Sequence, residues 1–144
     1  LPVQVVSCGV PFVIVALASR QAVDAVQADR RALASCLSGA GIDELPVFVF
    51  TTQGDETTYS RMLAPGFGIV EDPATGSAAG PLGCYLVRNG VASMDAARAM
   101  LNAQGVAMKR PSRIHISIDS DSHRITRVRV GGQAVLVGTG EIRT

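Results

Sequence analysis

The sequence predicts an α+β domain in which mostly antiparallel strands curl around one buried helix. Ser77–Arg88 has helical spacing but no polar face, because Ala78, Ala79, Leu82, Cys84, Leu86 and Val87 point in every direction. A helix of that kind is normally surrounded by protein. Arg113–Ile118 alternates cleanly, with Ile114, Ile116 and Ile118 to one side and Arg113, His115 and Ser117 to the other, which is the period of a strand with one buried face. A chain of 144 residues, 47% of them hydrophobic and 17% charged, is long enough for one domain with a real core.

The remaining elements follow in order. Val3–Ser7 and Phe12–Leu17 are β-branched runs interrupted by Cys8-Gly9-Val10-Pro11, and read as two strands or one strand broken by a tight loop. Ala22–Leu37 has apolar residues at helical spacing, in two pieces around Asp29, and ends at Gly39 and Gly41. Leu45–Thr52 is a strand, and Glu56–Leu63 pairs with it through a turn at Gln53-Gly54-Asp55. Ala64–Val70 is a loop rich in proline and glycine. Pro81 removes one hydrogen bond near the first turn of the buried helix, and Asn89-Gly90 stops that helix. Ser93–Leu101 reads as a shorter helix with Ser93 as its N-cap. Strands then recur at Arg113–Ile118, Arg124–Val130 and Gln133–Val137, the last two joined by a hairpin at Gly131-Gly132.

Composition excludes several functions. A net charge of +1 gives no electrostatic reason for a nucleic-acid partner, and no apolar run reaches the ~18–20 residues of a membrane span. The charged n-region of a signal peptide is missing from the start. Cys8, Cys36 and Cys84 lie far apart without a CxxC pair, which suggests reduced thiols in the cytoplasm. The opening Leu1-Pro2-Val3 enters strand sequence at once, so a fragment of a longer polypeptide is expected.

Chemistry concentrates in Glu71-Asp72-Pro73-Ala74-Thr75-Gly76-Ser77-Ala78-Ala79-Gly80. A helix starting here presents unpaired N–H groups and a positive dipole end, a ready site for an anion. Pro73 forces Asp72 toward an extended backbone and so fixes its carboxylate. Asp72 or Thr75 can act as a simple helix cap. Alternatively Gly76 and Ser77 offer N–H groups, and Ser77 a hydroxyl, to a substrate carboxylate; the two roles are compatible. His115 and His123 read as solvated strand residues rather than metal ligands. Lys109, Arg110 and Arg113 read as a solvated loop face, and Arg127 and Arg129 as an exposed strand face. Glu71 reads as a surface charge or a helper of Asp72, and Arg61 as the partner of a structural salt bridge or a guide for a carboxylate.

The same ten residues resemble the signature of the PhzF-type isomerase family, named for a phenazine biosynthesis enzyme. Arg61-Met62-Leu63-Ala64-Pro65-Gly66-Phe67-Gly68, Gln104-Gly105, Arg110-Pro111-Ser112 and Val130-Gly131-Gly132-Gln133-Ala134-Val135 resemble that family in order and spacing. The resemblance implies a diaminopimelate-epimerase-like fold, a curled mixed sheet, barrel-like, around a central helix. It also implies that residues 1–144 are a single domain, the C-terminal one of two with an active site between them. Asp72 and Ser77 match cleft residues that contact substrate. Gly76, Thr75 and Gly9 are implied in substrate binding, Gly9 through Cys8-Gly9-Val10-Pro11-Phe12, which resembles a second cleft-facing loop; Phe12 stands where the family often has a histidine. The implied chemistry is a proton shuttle on a small carboxylate metabolite, with no metal or organic cofactor. Its acid/base glutamate belongs to the N-terminal domain, the implied partner, so the isolated chain is expected to be inactive.

A related branch of that fold uses two cysteines as its acid/base pair, one of them just before the Thr-Gly of the helix start; here Pro73 and Ala74 stand in that place. Cys84 falls inside the buried helix and reads as core. Two readings from other classes stand beside the enzyme: a non-catalytic domain that binds a small anion at the same helix terminus, and a structural half that forms a homodimer through a sheet edge.

Overall fold

A computed structural model describes residues 1–54, 57–121 and 124–143. Its sheet has eight strands: β1 (Gln4–Ser7), β2 (Pro11–Ala16), β3 (Val47–Thr52), β4 (Thr57–Ala64), β5 (Ile69–Asp72), β6 (Met100–Gln104), β7 (Ser112–Asp121) and β8 (Arg124–Gly131). Among the described residues the α-helices are α1 (Arg20–Asp24), α2 (Arg30–Gly39) and α3 (Gly76–Arg88). Strand order is β1-β2-β3-β4-β6-β7-β8, and β5 pairs with β4 beside that path. Antiparallel pairs dominate, but β2 and β3 run parallel, as do β4 and β6. Each parallel pair needs a crossover. The first crossover carries α1 and α2, and the second carries β5 and α3.

Helix α3 sits where its sequence requires. Ala78 through Leu86 are all buried, and α3 packs against β1, β2, β7 and β8. Because β1 and β8 are the two ends of the strand order, a helix touching both makes the sheet curl around it. Tyr85 packs edge-on against Phe50 with ring centroids 5.7 Å apart. The helix stops at Asn89, with Gly90 at φ +67° and the Val91 N–H donating back to the Leu86 carbonyl, the left-handed stop that glycine permits. Pro81 is the sixth helical residue, deeper than the sequence suggested, and the carbonyl that its missing N–H would have met belongs to Ser77.

The other face of the sheet has its own small core. Alternate residues diverge: Phe12, Ile14, Phe48 and Phe50 face α3, whereas Val13, Val47, Val49 and Tyr59 pack with Val23 and Leu37 of α1 and α2. Burial on both faces explains why β2 and β3 read as continuous apolar runs rather than alternations. Ser19 and Asp29 cap α1 and α2, accepting from the N–H groups of Ala22 and Ala32. The break expected at Asp29 is therefore a helix start.

Three expectations are corrected. Ser93–Leu101 is not a helix: Ser93 Oγ does accept from the Ala96 N–H, but only a 3₁₀ turn, Ala96–Arg98, follows. Met100–Gln104 then enters the sheet between β4 and β7, where strand pairing outweighs the helical preference of Ala and Leu. Gln133–Val137 forms no strand, and no hairpin turns at Gly131-Gly132. Residues 132–143 run on outside the sheet with Val137 92% exposed. Strand β8 is exposed over most of its length and carries Arg124, Arg127 and Arg129, so it offers a ninth strand little apolar surface. The loop expected at 64–70 contains a 3₁₀ turn and the start of β5. Asp55 of the expected turn and His123 lie outside the described residues.

Gly83 measures how tightly α3 is enclosed. A Cβ there would lie 2.7 Å from Ile116 Cγ2 and 3.1 Å from Ile118 Cδ1. Gly39, at the end of α2, has open space at that position. Gly83→Ala is therefore expected to lose ~1–2 kcal/mol, overpacking exceeding the gain in helix propensity. Gly39→Ala is expected to gain up to ~0.5 kcal/mol. Urea unfolding of the two variants checks the opposite signs.

Candidate functional site

The acidic motif runs from the end of β5 into the start of α3. Asp72 is the last residue of β5, paired in register with Met62 of β4. Thr75 occupies the N-cap position, yet its side chain makes no capping hydrogen bond. Its hydroxyl instead donates to Asp72 Oδ2 at 2.6 Å. The Thr75 carbonyl accepts from the N–H groups of Ala78 and Ala79, both at 3.1 Å. Among the described residues the N–H groups of Gly76 and Ser77, the Ser77 hydroxyl and Asp72 Oδ1 have no hydrogen-bonding partner. Gly76 and Ser77 are exposed, and Asp72 is half-buried. The capping expected of Asp72 or Thr75 does not occur, and the anion-ready end of the helix stays open.

What turns Thr75 away from the helix is Gln104, the last residue of β6, fully buried. Gln104 Nε2 donates to the Asp72 carbonyl at 2.7 Å and to Thr75 Oγ1 at 2.9 Å. Its Oε1 accepts from the Thr75 N–H at 3.2 Å. Since the amide already donates to Thr75 Oγ1, the one hydroxyl proton of Thr75 must point to Asp72. One Asp72 oxygen is thus engaged as an acceptor and the other is left open.

The turn after β6 completes the support. Ser112 Oγ donates to the Pro73 carbonyl at 2.8 Å. Gly105, at φ +76°, lies so close that a Cβ would sit 2.6 Å from the Pro73 carbonyl oxygen and 2.3 Å from that of Arg110. Gln104, Gly105 and Ser112 are thus a platform under Asp72–Thr75. Sequence reasoning gave them no role beyond resemblance. The available signal was Asn102 and Gln104 at strand period beside Met100, obscured by reading Ser93–Leu101 as a helix.

The other candidates sort plainly. Glu71 is neither a surface charge nor a helper of Asp72. Both its oxygens accept from Arg61, at 3.0 and 2.8 Å, with side-chain exposures of 12% for Arg61 and 9% for Glu71. Arg61 also donates to the carbonyls of Val23, Asp24 and Val26, closing the end of α1. The hydrogen bonds that Arg61 donates to Glu71 hold its guanidinium above its ordinary range, against the opposing effect of burial. Arg61 is therefore structural.

Gly9, at φ +124°, is exposed, and its N–H donates to Ser7 Oγ. The neighbouring Cys8 lies against α3 at Gly80, where a Cβ would be 3.8 Å from Cys8 Cβ. This places the loop along the helix flank, one turn past Gly76. Phe12 is 2% exposed and belongs to the core. Cys84 is core as expected, but its sulfur is 3.8 Å from that of Cys8. His115 is exposed, as are Arg127 and Arg129, and Arg129 pairs with Asp119. Among the described residues no cluster of three or more His, Cys, Asp or Glu is placed to hold a metal ion, and no helix is long and apolar enough to cross a membrane.

Comparison with known proteins gives the family and the fold. A family model described as "phenazine biosynthesis-like protein" matches residues 1–140. A curated relative from Pseudomonas chlororaphis, trans-2,3-dihydro-3-hydroxyanthranilate isomerase, is 36% identical over 98% of this chain and 48% of its own length. An uncharacterised isomerase of Escherichia coli K12 is 32% identical over 95% of this chain and 46% of its own. The chain thus spans about half the length of the curated relatives it matches. Among solved structures, one described as a predicted epimerase from Pseudomonas aeruginosa superposes with a TM-score of 0.64 at 28% identity, covering 96% of this chain and 46% of that one. A PhzF-family protein from Bacillus anthracis gives 0.67 at 22% identity, with 99% and 49% covered, and shows the same fold.

Two substitutions test the platform and the buried ion pair. Gln104→Met fills similar volume but strands the Thr75 N–H and Asp72 carbonyl, and is expected to cost ~2–4 kcal/mol. Amide hydrogen exchange should quicken from Asp72 to Ala79 first. Arg61→Met leaves Glu71 buried without its partner and is expected to cost ~3–5 kcal/mol. Chemical denaturation checks both.

Proposed function

The chain belongs to the phenazine biosynthesis-like protein family, and on that premise we propose that it is the substrate-holding, C-terminal domain of a cofactor-independent isomerase or epimerase. The observation that carries this reading is the open start of α3, where two unpaired N–H groups at Gly76 and Ser77 adjoin a carboxylate with one free oxygen. A helix terminus left uncapped while its N-cap threonine is diverted to an aspartate suits an anionic substrate better than a structural cap.

The substrate class is a small metabolite bearing a carboxylate. Its carboxylate takes the N–H groups of Gly76 and Ser77 and the Ser77 hydroxyl. Asp72 Oδ1 accepts from a hydroxyl or ammonium on the same molecule. The substrate named for the Pseudomonas chlororaphis relative, a ring with carboxylate, amine and hydroxyl, has groups of both kinds. A glutamate supplied by an N-terminal domain removes a proton from one carbon. The electrons move into the adjacent unsaturated system, and the resulting carboxylic acid returns the proton to a different carbon. Asp72 and Ser77 touch the substrate, whereas Gln104 positions Asp72 through Thr75. Gly9 lines the cleft from the flank of α3.

The reading divides activity between two domains, so the purified 144-residue chain is expected to show no isomerisation. In the complete protein, Asp72→Asn and Ser77→Ala are each expected to lower kcat/KM by ~10²-fold or more, with thermal midpoints little changed. Steady-state kinetics decides: undiminished turnover by Asp72→Asn would sink the assignment. Binding without turnover in the complete wild-type protein would favour the anion-binding alternative.

A further inference from the structure

The sheet that curls around α3 leaves a hollow of about 680 Å³ beside the second half of the helix. Val6, Cys8, Cys84, Arg88, Ile125 and Val128 are among the residues lining it. The two cysteines are 76 positions apart in sequence, yet their sulfurs lie 3.8 Å apart. Cys8 is exposed, on the loop between β1 and β2, and Cys84 is buried in the third turn of α3. Neither thiol belongs to the helix start or to the platform beneath it.

We infer that Cys8 and Cys84 form a reversible oxidation site, at which hydrogen peroxide converts the pair into a disulfide joining the first loop to the central helix. The roles follow from exposure. Cys8 reaches solvent, so its thiolate attacks the peroxide; a sulfur–oxygen bond forms, the O–O bond breaks, and the second oxygen leaves as water after taking up a proton. The sulfur of Cys84 then attacks the sulfenic acid on Cys8. The S–S bond forms, the S–O bond breaks, and hydroxide departs with the Cys84 proton as a second water. Two thiols and one peroxide give one disulfide and two waters.

The environment sets the order of events. Burial first, and then the neighbouring Cys8, push the Cys84 thiol up to about 12, against a smaller opposing effect from Arg88. Cys84 therefore waits as a thiol while Cys8 is reduced. Conversion of Cys8 to a neutral sulfenic acid removes the repulsion that helped hold the Cys84 proton. The loop can close the remaining gap, because nothing lies within 4 Å of a Cβ at Gly9 and Val10 is exposed. Closing a loop of this length restricts the unfolded chain strongly.

Trypsin places the three cysteines in different peptides, 1–20, 32–61 and 62–88, so mass spectrometry of the native protein reads the linkage directly. Hydrogen peroxide at low excess is expected to join peptides 1–20 and 62–88 within one molecule, reversibly with dithiothreitol. The oxidised protein should melt at least ~5 °C higher. In Cys84→Ser, Cys8 should instead stop at a sulfenic acid trapped by dimedone. Oxidation of Cys8 to sulfinic acid in the wild type without that linkage would overturn the inference, as would a linkage through Cys36.

Discussion

Helix α3 has no polar side, and that constraint organises the rest of the chain. Nine consecutive residues from Ala78 to Leu86 must be kept from water, which a flat sheet cannot achieve because it covers only one face. The sheet therefore curls until β1 and β8 both touch the helix, and Gly80 and Gly83 let Val128 and Ile116 approach it closely. A helix buried along its middle can meet solvent only at its ends. The C-terminal end is closed by Asn89 and Gly90. The N-terminal end is left to the motif that precedes it, and there the protein places an aspartate, a serine and free N–H groups instead of a cap.

Keeping that end open requires a polar group in the interior. Thr75 sits where a threonine normally bonds to its own helix, and a hydroxyl without another partner would do so. Gln104 supplies the alternative partner while being fully buried itself, with both Nε2 hydrogens and Oε1 engaged. A buried amide satisfied in this way stabilises one arrangement and penalises the others, since any shift of the loop strands a donor or acceptor. Asp72 is consequently held by a pairing chosen on a neighbouring strand, not by its own loop.

This division explains what the sequence could reveal. The buried helix, the alternating β7 and the helix break at Asp29 were legible because each is written in local periodicity or capping chemistry. Strand β6 was not: Met100-Leu101-Asn102-Ala103-Gln104 puts polar residues on the buried side and helix formers at every position but Asn102, so its identity comes from the neighbours β4 and β7. The same holds at the site. Asp72, Gly76 and Ser77 could be picked out from the motif, but the direction of the Thr75 hydroxyl depends on a residue 29 positions away. Glu71 failed for a similar reason, because its partner Arg61 is committed to the end of α1, which no local pattern links to the motif. The apolar run at Gln133–Val137 reads as a strand from its propensity and the Gly131-Gly132 turn signal, two local cues that do not by themselves make it pair with β8.

An open helix end is a weak binder while it faces water. The dipole and two N–H groups offer a surface anion ~0.3–1 kcal/mol, and up to ~2 kcal/mol when partly enclosed. Coulombic attraction at a fixed distance grows severalfold as the effective dielectric falls from that of water to that of a protein surface. The groups at Gly76 and Ser77 therefore gain most of their value when a second body covers them and excludes solvent. On the proposed reading, the curled sheet and the Gln104 platform pre-organise one wall in advance. The covering domain then needs to bring only the proton-carrying group and the exclusion of water, which are the two things that a rigid, solvent-facing helix end cannot provide.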